Sequence, residues 1–294
     1  MVFLECRDLY KVYAELQSEA KVAALRGTEL FADEGELIAI IGPSGSGKST
    51  LIKMIGAIEY PTSGKVIIGG TEITKMNKRE RTIFRRHKIG FLYQFPDRNL
   101  MWNLSAFKNI LFPMKLIGKL SDSEKKTRAL DLLKNVNLQN RKNHKPHQLS
   151  GGEAQRLGIA VSLANDPDII LADEPTGELD SLTTFEIIDY FKQLNTNLGK
   201  TFIVVTHDDR FAKLTTRTMR ILDGRIVSLH KAKRIHEVIE KDEKLIEREE
   251  FIFVDEHGNL RLPEEIRKKT GIKDYIKIEI RNGVACLIPE EKDV

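Results

Sequence analysis

Two glycine-rich runs, each placed where a helix is expected to start, constrain this chain more than any other feature. The first is GPSGSGKST at 42–50, preceded by the apolar run ELIAII (36–41) and followed by a helix-like segment from Lys48 to Ala57. A strand, a glycine loop and a helix in this order form a cradle for phosphate. The glycines let backbone N–H groups converge on anionic oxygens at the positive end of a helix. In the match to GxxxxGK[ST], Gly42, Ser44, Gly45 and Gly47 shape the loop. Lys48 is expected to reach the β- and γ-phosphates of a nucleoside triphosphate, and Ser49 to ligate Mg²⁺. The second run is LSGGEAQR at 149–156. Ser150 is placed to cap a helix beginning near Glu153, and the N–H groups of Ser150, Gly151 and Gly152 would make a second anion site. Within one chain that site duplicates the first.

Two further apolar runs, DIILAD (168–173) and TFIVVTH (201–207), alternate with helical patterns. Near-continuous apolar strands separated by helices predict a parallel sheet covered on both faces. The segment 120–165 reads as mostly helical, amphipathic over 123–136, and is assigned to a helical subdomain. Short β-like pieces near 3–13, 27–33 and 65–73 predict an antiparallel flank. The fold class is therefore α/β: a mostly parallel core, an antiparallel β flank and a helical subdomain. Asp173 and Glu174 close the run 168–172. A carboxylate there suits the hydration shell of Mg²⁺, and its neighbour is placed to orient or deprotonate an attacking water.

Composition removes several classes. No segment reaches 18 consecutive apolar residues, so no transmembrane helix is expected, and charges interrupt MVFLECRDLYKVY too early for a signal peptide. Cys6 and Cys286 lie far apart and are expected as free thiols in a reducing compartment. His144 and His147 have HxxH spacing but no third ligand nearby, so zinc is not expected. The net charge is +4, yet residues 231–294 hold 14 Lys+Arg against 16 Asp+Glu. The basic excess therefore lies in the first part of the chain.

Over about residues 1–228, the ordered set GPSGSGKST, LSGGEAQR and ILADEPTGELDS resembles the ATP-binding subunits of ABC transporters. The resemblance implies a P-loop NTPase of ABC type that uses ATP and Mg²⁺. It also implies a head-to-tail homodimer. Each ATP would lie between one copy's loop, including Thr50, and Ser150, Gly151 and Gly152 of the other copy. It further implies that Tyr13, with Tyr10 close by, stacks on adenine and that Gln94 meets Mg²⁺ and senses a membrane partner. His207 would contact the γ-phosphate and the attacking water, and Asp180 would cross the dimer interface. The runs GFLYQF, NHKPHQLSGGEAQR and LADEPTGELDS resemble the branch serving lipoprotein release, macrolide or peptide export and cell-division permeases. An integral membrane permease would then dock in a groove around 94–113, which includes Trp102. The subunit would sit in the cytoplasm, peripheral at the inner face of the membrane. Glu178, where the branch commonly has Asn or Ala, and DRNLMWNLSAF (97–107), which lacks the usual proline, depart from the pattern.

The composition shifts near residue 230. In 229–249, Ile235, Val238, Ile239, Leu245 and Ile246 fall near helical spacing, and a charged helical linker is expected. Strand-like runs follow at 251–254, 260–262, 275–280 and 284–289, with a short helix EEIRKKT and an Asn282-Gly283 turn. The pattern GNLRLPEEIRKKTGIK…IRNGVACLIP over 250–294 resembles the AbrB/MazE-type swapped-hairpin domain. This implies a small β-rich dimerisation domain. The alternative is a soluble ATP-dependent regulator that uses Arg261, Arg267, Lys268 and Lys269 on DNA. Glu264, Glu265 and the net negative tail weigh against it.

Overall fold

The computed structural model describes residues 2–14, 21–177, 179–208, 210–211, 215, 217–232, 248–252, 262, 264–272, 276–281 and 284–289. The chain opens with two long strands, β1 (Val2–Ala14) and β2 (Lys21–Asp33), which pair antiparallel. β4 (Ser63–Ile68) and β5 (Thr71–Glu72) complete a four-stranded sheet in the order β2-β1-β4-β5. This is the antiparallel flank expected from the sequence.

The main sheet has seven strands. They are β3 (Leu37–Ile41), β6 (Ile89–Leu92), β7 (Ile169–Asp173), β8 (Thr201–Thr206), β9 (Arg217–Leu222), β10 (Arg225–Ala232) and β11 (Arg248–Ile252). Their spatial order is β11-β10-β9-β3-β8-β7-β6. The five strands from β9 to β6 pair parallel, and β10 and β11 are added antiparallel. Successive side chains of a strand face opposite ways, so a parallel strand buried on both faces must be apolar throughout. Ile38 and Ile40, with Ile169, Leu171, Ile203 and Val205, enter one core. Leu37 and Ala39, with Ile170, Ala172, Phe202 and Val204, enter the other. The first core is closed by α1 (Lys48–Ile55) and the β flank. The second is closed by α3 (Ala106–Ile117), α4 (Asp122–Asn135), α5 (Gly151–Ser162) and α6 (Ser181–Leu198).

Helix starts are locally encoded. Asn77 with Glu80 begins α2 (Lys78–Lys88), Ser121 with Glu124 begins α4, and Ser150 with Glu153 begins α5, each as a reciprocal capping box. Gly118 and Gly199, both at positive φ, end α3 and α6. Cys6 is buried and free, and burial pushes its thiol up beyond any ordinary titration. Among the described residues, no helix is long and apolar enough to cross a membrane.

The expected linker helix over 229–249 needs correction at both ends. β10 runs on to Ala232, and β11 begins at Arg248. The two strands pair in register from Ser228↔Ile252 to Ala232↔Arg248. Sheet pairing satisfies the backbone at both ends of this stretch, which local helical periodicity does not anticipate. Residues 233–247 lie outside the described residues, as do Asp242 and Glu178. Farther on, α7 (Glu264–Thr270) stands where EEIRKKT was expected to be helical and ends before Gly271 at φ 72°. β12 (Ile276–Arg281) and β13 (Val284–Pro289) form an antiparallel hairpin in the register Arg281↔Val284. The turn residues Asn282 and Gly283, and the stretches 253–261 and 290–294, lie outside the described residues.

Candidate functional site

The loop between β3 and α1 is shaped by backbone that only glycine accepts. Gly45 and Gly47 hold φ values of 79° and 102°. A Cβ at Gly47 would fall 2.5 Å from the Ala24 carbonyl, and one at Gly42 only 2.3 Å from that of Ile221. Gly224 N donates to Ser46 O (2.9 Å), so the loop is braced from the β9–β10 turn. The first turn of α1 carries no acidic residue, and no side chain caps it. Its N–H groups and its dipole are therefore available to an anion.

Lys48, 6% exposed, is held by Gly42 O at 2.8 Å and Pro43 O at 3.1 Å, and its Nζ lies 3.5 Å from Glu174 Oε1. The next residue, Ser49, donates its hydroxyl to Asp173 Oδ1 at 2.9 Å. The loop and the end of β7 thus meet through two adjacent pairs. Burial pushes the Asp173 carboxyl above its ordinary value; the Ser49 hydrogen bond opposes this, and the neighbouring Glu174 charge adds to it.

Glu174 sits at φ 47°, a conformation rare outside glycine and asparagine, and its N–H donates to Val205 O of β8 (2.8 Å). Its Oε2 accepts from His207 N (3.1 Å) and lies 2.9 Å from His207 Nδ1. Gln94 is half-buried just beyond β6. A Cβ on Gly177 would come within 2.8 Å of its Nε2, so Gln94 packs against the turn that follows Glu174. The ends of β3, β6, β7 and β8 thereby place Lys48, Ser49, Gln94, Asp173, Glu174 and His207 along one edge of the sheet. Strand ends of a parallel sheet are where such folds place ligand chemistry.

Of the two tyrosines, Tyr13 is the one beside the helix that carries the loop. It is 37% exposed, and its hydroxyl donates to Glu59 Oε2 (2.8 Å). Burial raises its phenol pKa, as does the Glu59 bond, while a hydrogen bond with Thr50 acts in the other direction. The ring lies 5.0 Å from Lys11 Nζ. Tyr10 turns its hydroxyl instead toward Gly27.

The second glycine run lies on a different part of the chain. α5 begins at Gly151, two residues earlier than expected, because Ser150 is the cap: its hydroxyl accepts from Glu153 N, and its own N–H donates to Glu153 Oε2. Ser150 and Gly151 are exposed and Gly152 is buried. Among the described residues, no hydrogen bond or ion pair joins 150–152 to the loop at 42–50. Asp180 caps α6, accepting from Leu182 N, Thr183 N and the Thr183 hydroxyl, and these bonds hold its carboxyl below the usual carboxylate range.

Several residues that shape the site had no signal in the sequence. Gly158 on α5 lets Leu92 and Asn99 pack closely: an added Cβ would meet Leu92 Cδ1 at 3.0 Å and Asn99 Cβ at 3.8 Å. Arg81 and Arg85 both donate to Ala57 O just after α1, and Arg81 stacks 3.6 Å over the Tyr60 ring. Asn99 and Asn109 organise the stretch after Gln94.

Residues 25–177 match the family model of the ABC transporter. A Thermotoga maritima protein described as an uncharacterized ABC transporter ATP-binding protein is 46% identical over 228 residues, covering 78% of this chain and 95% of that protein. The lipoprotein-releasing system ATP-binding protein LolD of Bacteroides thetaiotaomicron is 39% identical over 218 residues, covering 74% and 99%. Among solved structures, the dimeric post-hydrolysis state of the ATP-binding cassette MJ0796 bound to ADP and Pi matches with TM-score 0.71 and 41% identity, covering 78% of this chain and 98% of that one.

Proposed function

The chain belongs to the ABC transporter family, and we propose how it works as the ATP-binding, ATP-hydrolysing subunit of such a transporter. Two copies pair head to tail, and each ATP lies between the loop 42–50 of one copy and Ser150, Gly151 and Gly152 of the other. The carrying observation is the set Lys48, Ser49, Asp173, Glu174 and His207, gathered within hydrogen-bond or ion-pair distance of one another along one sheet edge. That no hydrogen bond or ion pair among the described residues joins the two glycine runs within one chain supports pairing. So does the dimeric state of MJ0796 with ADP and Pi.

The α1 N-terminus and Lys48 bind the phosphates, and Tyr13 beside Thr50 receives the adenine. Glu174 aligns a water and takes its proton as the water oxygen bonds to the γ-phosphorus and the bond to the β-phosphate oxygen breaks, leaving ADP and phosphate. His207, exposed beside Glu174, holds the carboxylate in place and faces the γ-phosphate. Asp180, already the cap of α6, fixes the loop that approaches the partner copy. Ser49 Oγ and Asp173 Oδ1, hard oxygen donors 2.9 Å apart, fit Mg²⁺, with Gln94 as the third member. When bound, that ion neutralises charge that develops on the phosphates.

A permease is the membrane partner in this reading. It docks on the surface around 94–113, where Phe95, Met101 and Trp102 are exposed apolar side chains. That docking places the subunit at the inner face of the membrane. The LolD relative supports assignment to the branch serving lipoprotein release, macrolide or peptide export and cell division. The C-terminal part, read from the sequence as an AbrB/MazE-like swapped-hairpin domain over 250–294 but with 250–252 taken up by β11 of the main sheet, adds a second dimer contact. Support comes from α7, the turn at Gly271 and the β12–β13 hairpin, since a two-stranded sheet is marginal without a further layer.

Glu174→Gln tests the assignment. The variant is expected to bind ATP, to lose at least about a hundredfold in kcat, and to elute as a dimer only when ATP is present. Wild-type turnover by that variant would remove Glu174 from the role of base.

A further inference from the structure

Between Leu92 at the end of β6 and Ala106 at the start of α3, two asparagine side chains hold the backbone in separate places. Asn99 Oδ1 accepts from Tyr93 N (2.8 Å), and its Nδ2 donates to Phe91 O (2.7 Å). It thereby ties the turn at 95–100 back to β6. That turn is closed by its own bonds, Arg98 N to Phe95 O, Asn99 N to Pro96 O and Leu100 N to Pro96 O. Asn109 lies on α3 and is 3% exposed. Its Oδ1 accepts from Met101 N (2.7 Å), and its Nδ2 lies 3.1 Å from each of the carbonyls of Met101, Leu104 and Ser105. Leu104 N donates to Met101 O within the same group.

An asparagine amide carries a donor and an acceptor on one short stem, so a single side chain can clamp several backbone groups. No hydrogen bond among the described residues crosses from the group at 93–100 to the group at 101–105. The side chain between them, Leu100, is buried in the core that α3, α4 and α5 share with the sheet. The stretch therefore consists of two clamped pieces: Leu100 N belongs to the first and the N–H of the Leu100–Met101 peptide to the second, so only the backbone torsions of Leu100 join them.

We propose that Asn99 and Asn109 are positioning residues that make this stretch two rigid halves meeting at the backbone torsions of Leu100. The first half carries Gln94 with β6 and the nucleotide site, and the second carries Met101 and Trp102 with α3. Asn99 also packs over Gly158, which sets the first half against the helix that begins at the second glycine run. A partner seated on Phe95 and on Met101 and Trp102 together spans the joint. Any change in the angle between α3 and β6 then reaches that partner undamped. The functional consequence rests on the roles given above to Gln94 and to the surrounding surface.

The chain contains a single tryptophan, and Trp102 lies in the second half, 46% exposed. The test uses the full-length chain, with Trp102 fluorescence anisotropy and ATP hydrolysis measured side by side in Asn99→Ala and Asn109→Ala. Asn109→Ala is expected to lower Trp102 anisotropy, while Asn99→Ala leaves it at the wild-type value. Asn99→Ala is expected to lose about tenfold more kcat than Asn109→Ala, with KM for ATP within about twofold of wild type, as follows from losing the two hydrogen bonds to Tyr93 N and Phe91 O that hold the backbone leading to Gln94. Should either alanine variant fail to fold by thermal melt, Asn99→Ser and Asn109→Ser, whose small neutral side chains are too short for these bonds, replace them. The inference is overturned if both variants loosen Trp102 equally, or if neither does, or if their kcat losses match. A wild-type chain without ATPase activity would sink the function proposed above, while the anisotropy comparison would still decide the two-halves arrangement.

Discussion

Asp173 illustrates how a functional residue works against the fold that carries it. Its carboxyl binds protons more tightly in the folded chain than in the unfolded one, chiefly because of burial and also because of the Glu174 charge. The sign follows directly: such a group favours the fold at low pH and weakens it as pH rises through the folded-state value. At neutral pH without Mg²⁺ the anion is therefore a net cost. Asparagine keeps an oxygen to accept from Ser49 and carries no charge. Asp173→Asn is expected to raise Tm by about 2 °C at pH 7 and to abolish Mg²⁺-dependent hydrolysis. The gain should vanish below about pH 4, where aspartate too is neutral. Thermal melts across pH read this directly, and a lower Tm at pH 7 would count against it. The same scale shows what a sequence can disclose. Lys48, Ser49, Asp173 and Glu174 were legible because phosphate chemistry demands these residue types within a few positions of a strand end. Asn99 and Asn109 were not, because in sequence an asparagine looks the same whether it clamps several backbone groups or none. Asp180 was singled out by its place in GELDS, but its capping of α6 was not anticipated.

At the scale of elements, α5 and α6 touch through a contact that admits only glycine. A Cβ at Gly152 would lie 2.5 Å from Thr183 Cγ2. The methyl cannot swing aside freely, because the Thr183 hydroxyl is bonded to Asp180 at 2.6 Å. Gly152→Ala is expected to cost about 1–3 kcal/mol through overpacking. Thr183→Ser, which removes the methyl and keeps the hydroxyl, should restore most of that loss in the double variant. Denaturation of the four proteins of this cycle checks it, and additive losses would show that the two positions do not meet. Three strands of the parallel core, β3, β7 and β8, were legible from apolar runs; β6 and β9 were not, since β6 is only four residues long and β9 carries Arg217 and Arg220. Nor was the pairing of β10 with β11, which was expected only as a strand at 251–254 of the tail: it joins residues on either side of 233–247, and no local period carries that information.

For the whole molecule, that pairing fixes where the chain can be cut. Removing everything after residue 230 would sever β10, which extends to Ala232, and strip β11 from the sheet edge. Ending the chain after Ile252 keeps both strands and removes α7 and the β12–β13 hairpin. If that hairpin region holds two copies together, the chain ending at 252 is expected to keep its Tm within about 2 °C and to dimerise more weakly without ATP. Sedimentation at several concentrations would reveal it, and an unchanged association constant would show that the tail does not link the copies. The family, the nucleotide fold and the ATPase activity were legible from the ordering of three motifs. The tail's contribution of a strand to the main sheet was not, because it depends on distant partners.

The bracing of the phosphate loop from the β9–β10 turn has a consequence for synthesis. The ribosome makes residues 42–50 early, but the groups that floor the loop, Ile221 and Gly224, come almost two hundred residues later. β3 likewise waits for β8 and β9 before either of its edges is paired. A growing chain therefore carries its most recognisable motif for most of translation without the surroundings that give it shape. The surroundings that shape the phosphate loop are complete only once β9 and β10 have been made.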